Sequence, residues 1–271
     1  MKKFEFDISK PKEVVSLMEK EFIPFLLENL PFLKDKCFIF VQGSVARGDT
    51  IDSSDIDLMI VLPQQMKKDH MDELFKFKAV VEENNVEIHF FAKEKLENPE
   101  IMWNDDVTLG TLYESIIVYD PLGKGKKYQS EYNKFPPKIL EDKIFSAGQE
   151  IIKKRKLIKG FLKRGNNLGA VSNRIKILKL VLSLLALKRN RYYGKHLYTE
   201  SQSDPEAAKY LFLIDEILQK IQTEKADKLL DNLLERLGNE FEETNLLPEK
   251  FFSTWKWSNR VTKYQISPRF L

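Results

Sequence analysis

Residues 41–61 read VQGSVARGDTIDSSDIDLMIV, and this stretch decides how the N-terminal half of the chain is interpreted. An apolar run, Cys37–Val41, ends just before Gly43 and Ser44, and a second apolar run, Ile56–Leu62, follows a short polar loop. Continuous apolar runs of this length, bounded by turn residues, are typical of buried strands. The stretch therefore predicts a strand, a sharp Gly-Ser turn and a second strand.

Two aspartates, Asp55 and Asp57, stand where the second strand begins. Alternate residues of a strand share a face, so the two carboxylates lie side by side and repel each other unless a cation neutralises them. Oxygen ligands of this kind suit Mg²⁺ bound together with substrate phosphates, and two such ions can stabilise the attacking and leaving oxygens of a phosphoryl transfer. Glu87, in a further predicted strand, is the candidate for a third carboxylate. We therefore predict a site for two magnesium ions formed by Asp55, Asp57 and Glu87.

The Gly-Ser turn before these aspartates predicts a phosphate site. Gly43 lets the backbone approach a ligand closely, and amides at the start of a helix attract phosphate oxygens. The Ser44 hydroxyl adds a donor, and Arg47, one turn later, offers a planar guanidinium that can neutralise charge. His89 shares a strand face with Glu87, where it could orient that carboxylate, although we favour a structural role for this histidine. Gly43, Ser44 and Arg47 are thus the candidates for phosphate binding.

The first 125 residues alternate apolar strand-like runs with amphipathic helical stretches. Two more strands and two helices accompany the strands described above, and these four segments are Val86–Phe91, Ile116–Tyr119, Pro11–Leu30 and Met71–Glu83. Strands interleaved with helices around one sheet form an α+β domain, here a mixed sheet backed by helices. We place this domain at residues 1–125.

The remaining residues, 126–271, change to helical periodicity after Pro136 and Pro137. Four apolar stripes at three- and four-residue spacing predict four amphipathic helices, and helices of this kind with short polar connections form a bundle. One stripe passes through Ile175 and enters a segment, residues 175–187, that is apolar on nearly all sides. We place that segment at the bundle centre and predict an all-α second domain.

Composition and charge narrow the class of protein. Lys and Arg total 44 against 41 Asp and Glu, a formal net charge of +3, which disfavours nucleic acid as a partner but leaves it open. The single cysteine excludes a disulfide scaffold and a four-thiolate zinc site, and the three widely scattered histidines disfavour a histidine metal cluster. The longest apolar run, Leu180–Leu187, is far shorter than the roughly 20 residues of a membrane span, and the charged N-terminus lacks a secretory signal. We therefore expect the cytoplasm and no membrane partner.

The string GSVARG at residues 43–48, followed by SDIDL at residues 54–58, resembles the signature of the DNA polymerase beta-like nucleotidyltransferases. It is similar to the minimal branch and to the antibiotic-modifying branches that act on aminoglycosides or lincosamides. The resemblance implies transfer of a nucleoside monophosphate to a hydroxyl group with release of pyrophosphate. ATP is the expected donor and AMP the expected group transferred.

The resemblance also implies roles for the residues singled out above. It implies Gly43 and Ser44 at the nucleotide phosphates and two magnesium ions on Asp55 and Asp57. It implies Glu87 as a third metal ligand or as the base that deprotonates the acceptor. The acceptor itself is expected to be a hydroxyl-bearing small molecule similar to an aminoglycoside.

Other functions remain open on the sequence alone. A protein-modifying nucleotidyltransferase of a toxin–antitoxin type system and a non-catalytic nucleotide-binding protein are both compatible with it, as is a homodimer. Arg191, His196 and Tyr198 resemble the ribonuclease motif of HEPN domains, but Gly194 interrupts the helix there and we favour a helix C-terminus. The basic run Lys153–Lys156 is typical of a solvated helix face.

Overall fold

A computed structural model of the chain describes residues 4–191, 205–244 and 247. The described residues divide into two compact units. The first unit runs to Met102 and resumes at Thr108–Asn133, and the second contains Trp103–Val107 and the described residues from Lys134 onward. Every described strand lies in the first unit, and the regular elements described in the second unit are helices. This arrangement confirms the predicted α+β class.

Four strands form one mixed sheet in the order β3-β2-β1-β4. Strand β1 is antiparallel to both β2 and β4, whereas β2 and β3 are parallel. A parallel pair needs a crossover connection, and two helices supply it between β2 and β3. The strands are β1 (Phe38–Gln42), β2 (Ile56–Leu62), β3 (Val86–Ala92) and β4 (Ile116–Tyr119). All four predicted strands are confirmed, with end points that differ by at most one residue.

Of the two helices predicted in the N-terminal part of the chain, Met71–Glu83 is confirmed to within one residue, whereas Pro11–Leu30 is divided into two α-helices by a π-helical turn. The helices of this part of the chain are α1 (Pro11–Leu17), α2 (Ile23–Asn29), α3 (Gly43–Arg47), α4 (Gln64–Asp69), α5 (Met71–Glu82), α6 (Lys93–Leu96), α7 (Pro99–Met102), α8 (Asp106–Glu114) and α9 (Lys124–Glu131). A π-helical turn, Met18–Phe22, joins α1 to α2, and a 3-10 turn, Pro31–Leu33, follows α2. The wider turn comes just before Pro24, which has no amide hydrogen to donate to a regular helical turn.

The core of the first unit lies on one face of the sheet. Side chains alternate between the two faces of a strand, and Val41, Leu58 and Ile88 point to the face that packs against apolar residues of α1, α2 and α5. Phe22 and Leu26 are fully buried there. The polar positions of β2 and β3 alternate with these core residues and therefore lie on the opposite face.

Helix α9 belongs to the first unit, which continues to Asn133, whereas the sequence placed a boundary after residue 125. The ring of Tyr128 lies 5.8 Å from the ring of Phe38 in β1, measured between centroids. The Gln129 amide donates to the carbonyl oxygens of Leu112 and Ser115 at 3.1 and 2.9 Å. These contacts hold α9 against β1 and against residues 112–115 of the first unit. The local sequence, which is rich in glycine and lysine, does not indicate them.

The second unit contains the four helices predicted from apolar stripes. They are α10 (Pro137–Lys163), α11 (Asn167–Lys188), α12 (Pro205–Gln219) and α13 (Lys225–Glu243). Residues Ile177–Leu187 of α11 are almost all buried, as expected for the bundle centre. Ile175, however, is 39% exposed, and Arg174 and Ile177 face inward in its place. Because α11 is apolar nearly all round, its spacing alone does not fix which side is inward.

A network of buried charges joins three of these helices. In the Arg155 guanidinium of α10, Nε donates to Oδ1 of Asp231 and Nη1 donates to Oδ1 of Asp227, both residues of α13 and both at 2.8 Å. The Arg174 guanidinium of α11 donates to Asp227 at 2.6 Å and to the carbonyl of Ile221 at 2.7 Å. Both arginine side chains are no more than 3% exposed. The interpretation of Lys153–Lys156 as a solvated face is therefore wrong at Arg155.

Two further sequence predictions concern the HEPN-like string and membrane-spanning helices. His196 and Tyr198 of the HEPN-like string lie outside the described residues, and of that string only Arg191 is described. Among the described helices, none combines the length and apolarity required to cross a bilayer.

Candidate active site

The Gly-Ser turn lies directly against the carboxylate of Asp57. Strand β1 ends at Gln42, and Gly43 adopts a φ of +67°, in the left-handed region that favours glycine. A Cβ added at Gly43 would lie 2.1 Å from Oδ2 of Asp57, far inside van der Waals contact. Only glycine fits here, since any side chain would displace the carboxylate. The turn and the acidic strand thus form one compact site.

The register of the sheet brings Asp57 and Glu87 together. Asp57 pairs with Gln42 across the antiparallel β1–β2 ladder and with Glu87 across the parallel β2–β3 ladder. Paired residues of adjacent strands project to the same face, so the two carboxylates converge opposite the apolar core. Their side chains are 27% and 41% exposed, so both reach solvent. The strand predicted to carry Glu87 beside β2 is confirmed.

His89 joins this pair, which the sequence did not favour. Its Nε2 lies 3.5 Å from Oδ1 of Asp57 and 3.5 Å from Oε1 of Glu87. The nearby Asp57 carboxylate raises the pKa of His89 above its ordinary value; partial burial opposes this and the charge of Glu87 adds to it. The side chain is 48% exposed. The preference for a structural role stays a prediction. A period-2 pattern shows that His89 and Glu87 share a face but does not indicate the contact with both carboxylates.

Asp55 stands apart from the cluster of Asp57, Glu87 and His89. It lies one residue before β2 and is exposed. Ligand atoms of the other three residues all lie within 4.8 Å of one another, and Asp55 is not part of that group. Among the described residues, the Asp55 carboxylate has no hydrogen-bond or ion-pair partner. It is free to turn toward a ligand.

Ser44 is half-buried and keeps its hydroxyl unengaged among the described residues. Its backbone carbonyl accepts from the amides of Gly48 and Asp49 at 2.8 and 3.1 Å, which closes the short helix α3. Gly48 ends that helix with a φ of +79°. The backbone of the turn is therefore fixed while the Ser44 hydroxyl remains available.

Arg47 is engaged by two carboxylates of its own unit. Its Nε donates to Oδ2 of Asp49 at 3.1 Å, and its Nη1 donates to Oε2 of Glu114 at 3.3 Å. Burial alone would lower the pKa of Arg47, but the hydrogen bonds and charges of Asp49 and Glu114 outweigh it and raise the pKa. A phosphate that bound Arg47 would have to compete with these partners.

Two neighbours of the cluster escaped the sequence analysis. Gln42, the residue before Gly43, is buried and its Nε2 has no hydrogen-bond partner among the described residues. The signal for it was a single polar residue at the end of an apolar run. Lys78 of α5 places its Nζ 3.9 Å from Oε1 of Glu87 and 3.8 Å from Oε1 of Glu82. The contact with Glu87 joins a helix to the strand that follows it, so the periodicity of neither element indicates it.

The donor set fits a divalent cation. Two carboxylates and an imidazole present ligand atoms within 4.8 Å of one another, and Gly43 leaves room for the Asp57 carboxylate beside the turn. Carboxylate oxygens and imidazole nitrogens are ordinary ligands of divalent cations.

Residues 19–109 match the family model of the nucleotidyltransferase domain, a range that contains the turn and all three residues of the cluster. A solved structure, that of a nucleotidyltransferase-like protein from Exiguobacterium sibiricum 255-15, superposes with a TM-score of 0.52 over 84% of this chain and 78% of that chain. Its sequence identity is 12%, so the likeness shows the fold alone. No curated protein matches the chain in sequence.

Proposed function

We propose that this protein transfers a nucleoside monophosphate from a nucleoside triphosphate to a hydroxyl group. The premise is that residues 19–109 form a nucleotidyltransferase domain of the polymerase beta-like superfamily. The donor we propose is ATP, and the acceptor is a hydroxyl-bearing small molecule similar to an aminoglycoside. Pyrophosphate is the second product.

One observation supports this proposal above the others. Asp57 faces Glu87 across a parallel ladder and touches the backbone of Gly43 at the end of β1. A carboxylate pair suited to bind a cation therefore lies beside a turn whose backbone can approach phosphates. Nucleotidyl transfer needs both, because the triphosphate has to be bound and its developing negative charge stabilised.

The proposed roles follow from where each side chain lies. Asp57 and Glu87, joined by Asp55 from the preceding loop, hold divalent cations, with Mg²⁺ as the proposed ion. Bound cations neutralise charge on the phosphates and on the leaving pyrophosphate. The Gly43 backbone and the Ser44 hydroxyl contact the phosphates. Arg47 is also a proposed phosphate contact, and to bind a phosphate it has to release the carboxylates of Asp49 and Glu114.

The bond changes balance without any further reagent. The acceptor oxygen forms a bond to the α-phosphorus, and the bond from the α-phosphorus to the oxygen that bridges it to the β-phosphorus breaks. The hydroxyl proton passes to a base, a role for which Glu87 is proposed as the alternative to metal binding. The pair of electrons of the broken bond leaves with pyrophosphate.

The test is a pyrophosphate-release assay with all four nucleoside triphosphates. Aminoglycosides, lincosamides, tRNA and a cell lysate serve as acceptors, each with and without Mg²⁺. Asp57→Asn is the test variant, and Asp72→Asn, an exposed carboxylate of α5, is the matched control. We expect Asp57→Asn to lose at least about 1000-fold in rate, equivalent to about 4 kcal/mol of transition-state stabilisation, and Asp72→Asn to retain full rate.

The outcomes separate the remaining functions. Full activity in Asp57→Asn would refute the proposed site. Labelling of a protein band from the lysate by radioactive ATP, without labelling of small compounds, would assign the protein-modifying function. Binding of nucleotide without release of pyrophosphate in the presence of any acceptor would assign a non-catalytic nucleotide-binding protein.

A further inference from the structure

We propose that His89 is a nitrogen ligand of the divalent cation bound by Asp57 and Glu87, and that this ligand raises the affinity of the site for Mn²⁺ more than its affinity for Mg²⁺. The inference rests on the proposed function in one respect, the presence of a cation at these carboxylates. It adds a ligand and a metal preference that the carboxylates alone do not supply.

The spacing of the three side chains supports coordination. Two ligands that each lie about 2.1 Å from one metal are about 3.0 Å apart at a right angle and about 3.4 Å apart at a tetrahedral angle. Nε2 of His89 lies 3.5 Å from an oxygen of Asp57 and 3.5 Å from an oxygen of Glu87. A strong N–H···O hydrogen bond would instead be about 2.7–3.2 Å long. The imidazole nitrogen is therefore placed like a ligand adjacent to both oxygens.

The position of His89 is fixed by the sheet rather than by a mobile loop. His89 and Glu87 are alternate residues of β3 and share its face, and Asp57 is in register with Glu87 on β2. The ligand atoms of all three residues lie within 4.8 Å of one another. A cation would therefore meet three donors on two hydrogen-bonded strands, with little reordering of the backbone.

His70 shows what a histidine without this role looks like in the same unit. Its ring stacks on Phe32 with centroids 3.8 Å apart and planes 8° apart. Its Nδ1 contacts a single carboxylate, that of Glu73, at 3.1 Å. His89 instead directs Nε2 at two carboxylates that face each other across a ladder. The two histidines therefore make a matched pair for experiment.

The nitrogen ligand predicts the metal preference. Mg²⁺ favours oxygen ligands and keeps much of its water, whereas imidazole nitrogen suits later divalent metals. Mn²⁺ prefers oxygen ligands, as Mg²⁺ does, but as a first-row transition metal it also accepts an imidazole nitrogen. A site of two carboxylates and one imidazole should thus bind Mn²⁺ more tightly than a site that has carboxylates alone, while its affinity for Mg²⁺ should depend little on the imidazole.

The test measures metal binding by the full chain without nucleotide, at one fixed pH. MnCl₂ titrations followed by EPR give the affinity, and pulsed EPR detects nitrogen bound to Mn²⁺. His89→Gln and His89→Ala are the test variants, and His70→Gln is the control. We expect nitrogen modulation in the wild type and in His70→Gln, and its loss in both His89 variants. We expect Mn²⁺ affinity to fall at least tenfold in the His89 variants and competition by MgCl₂ to change less than about threefold.

Each result has a defined meaning. Absence of nitrogen modulation in the wild type, or equal Mn²⁺ affinity in the wild type and both His89 variants, overturns the inference. Nitrogen modulation that survives in both His89 variants overturns it as well. Failure of the proposed function is distinguishable, because it would appear as absent pyrophosphate release while Mn²⁺ still showed bound nitrogen that depends on His89.

Discussion

The cluster of the sheet and the arginine–aspartate network of the helices both contain carboxylates. The two differ in how closely the carboxylates are paired and in how far the charged side chains are buried. In the network, Asp227 receives direct hydrogen bonds from Arg155 and Arg174 at 2.8 and 2.6 Å, and both arginines are buried. In the cluster, the nearest nitrogen atoms that the described residues offer to Asp57 and Glu87, those of His89 and Lys78, stand 3.5 Å away or farther, and the side chains reach solvent.

The difference separates a structural role from a binding role. Buried charges persist only when they are paired and hydrogen-bonded, and removal of one partner leaves an uncompensated charge. Exposed carboxylates that converge without close partners retain capacity for a ligand. The network should therefore control stability, and the cluster should control activity. Three substitutions and one labelling experiment test this division.

Gly43→Ala should have the largest effect and should act on activity. The new Cβ would lie 2.1 Å from the Asp57 carboxylate, so that carboxylate has to move. A displacement of about 1 Å at a reacting centre can cost about 100-fold, and we expect at least that loss in pyrophosphate release. Gly48→Ala is the control, since Gly48 also has a positive φ, of +79°, but nothing lies within 4 Å of its added Cβ.

The control should lose about 1–2 kcal/mol of stability from backbone strain and keep its activity. Equal activity losses in the two glycine variants would mean that strain in α3, rather than contact with Asp57, explains the effect. That result would remove the evidence that the turn and the acidic strand act together.

Asp227→Ala should have the largest effect on stability. It leaves two buried guanidiniums without their shared carboxylate, and we expect a loss of about 3–5 kcal/mol in the free energy of unfolding of the helical unit, measured by urea denaturation. Asp231→Ala should cost about 1 kcal/mol or less, because Asp231 is half exposed and Arg155 keeps Asp227. A large loss of transferase activity in folded Asp227→Ala would break the proposed division.

Glu240 allows the same comparison through pH. Burial would raise the pKa of Glu240, but hydrogen bonds from Lys188, Tyr210 and Lys209 outweigh it and lower the pKa to about 2. A carboxyl whose pKa is lowered by folding stabilises the protein above its unfolded pKa, near 4.3, and this contribution is lost as the pH falls toward the folded value.

Unfolding of the wild type and of Glu240→Gln should therefore differ most at neutral pH, with the wild type more stable. The difference should shrink between about pH 4.5 and pH 2. A difference that stays constant over this range would show that the charge of Glu240 contributes nothing and that only its shape matters.

The smallest expected effect is that of Asp227→Ala on the labelling of Cys37, a thiol that reports on the folding of the sheet. Burial raises the pKa of the Cys37 thiol to about 12, and it is the only cysteine of the chain. A thiol reagent should label the native protein at least about 100-fold more slowly than the unfolded chain. Labelling should stay equally slow in Asp227→Ala under folding conditions. Fast labelling in that variant would show that the network also supports the sheet.

Local patterns predicted the site only in part. The glycine at the turn, the start of β2 at Ile56 and the alternation that puts Glu87 opposite the core all follow from periodicity within a few residues. Contacts across the chain did not. His89 appeared structural, Arg155 appeared solvated and Gln42 went unremarked, because each is defined by residues on another element.

The sequence by itself determined where most strands and helices lie, which strand face is polar, and that a Gly-Ser turn at Gly43 and Ser44 precedes the strand that carries Asp57. It could do so because apolar periodicity and turn chemistry act over neighbouring residues. Tertiary structure alone decided that Asp57 faces Glu87 and His89, that Arg47 pairs with Asp49 and Glu114, and that α11 turns Arg174 inward toward Asp227. Strand register and helix orientation depend on burial and charge pairing between distant segments, and no single segment of the chain contains that information.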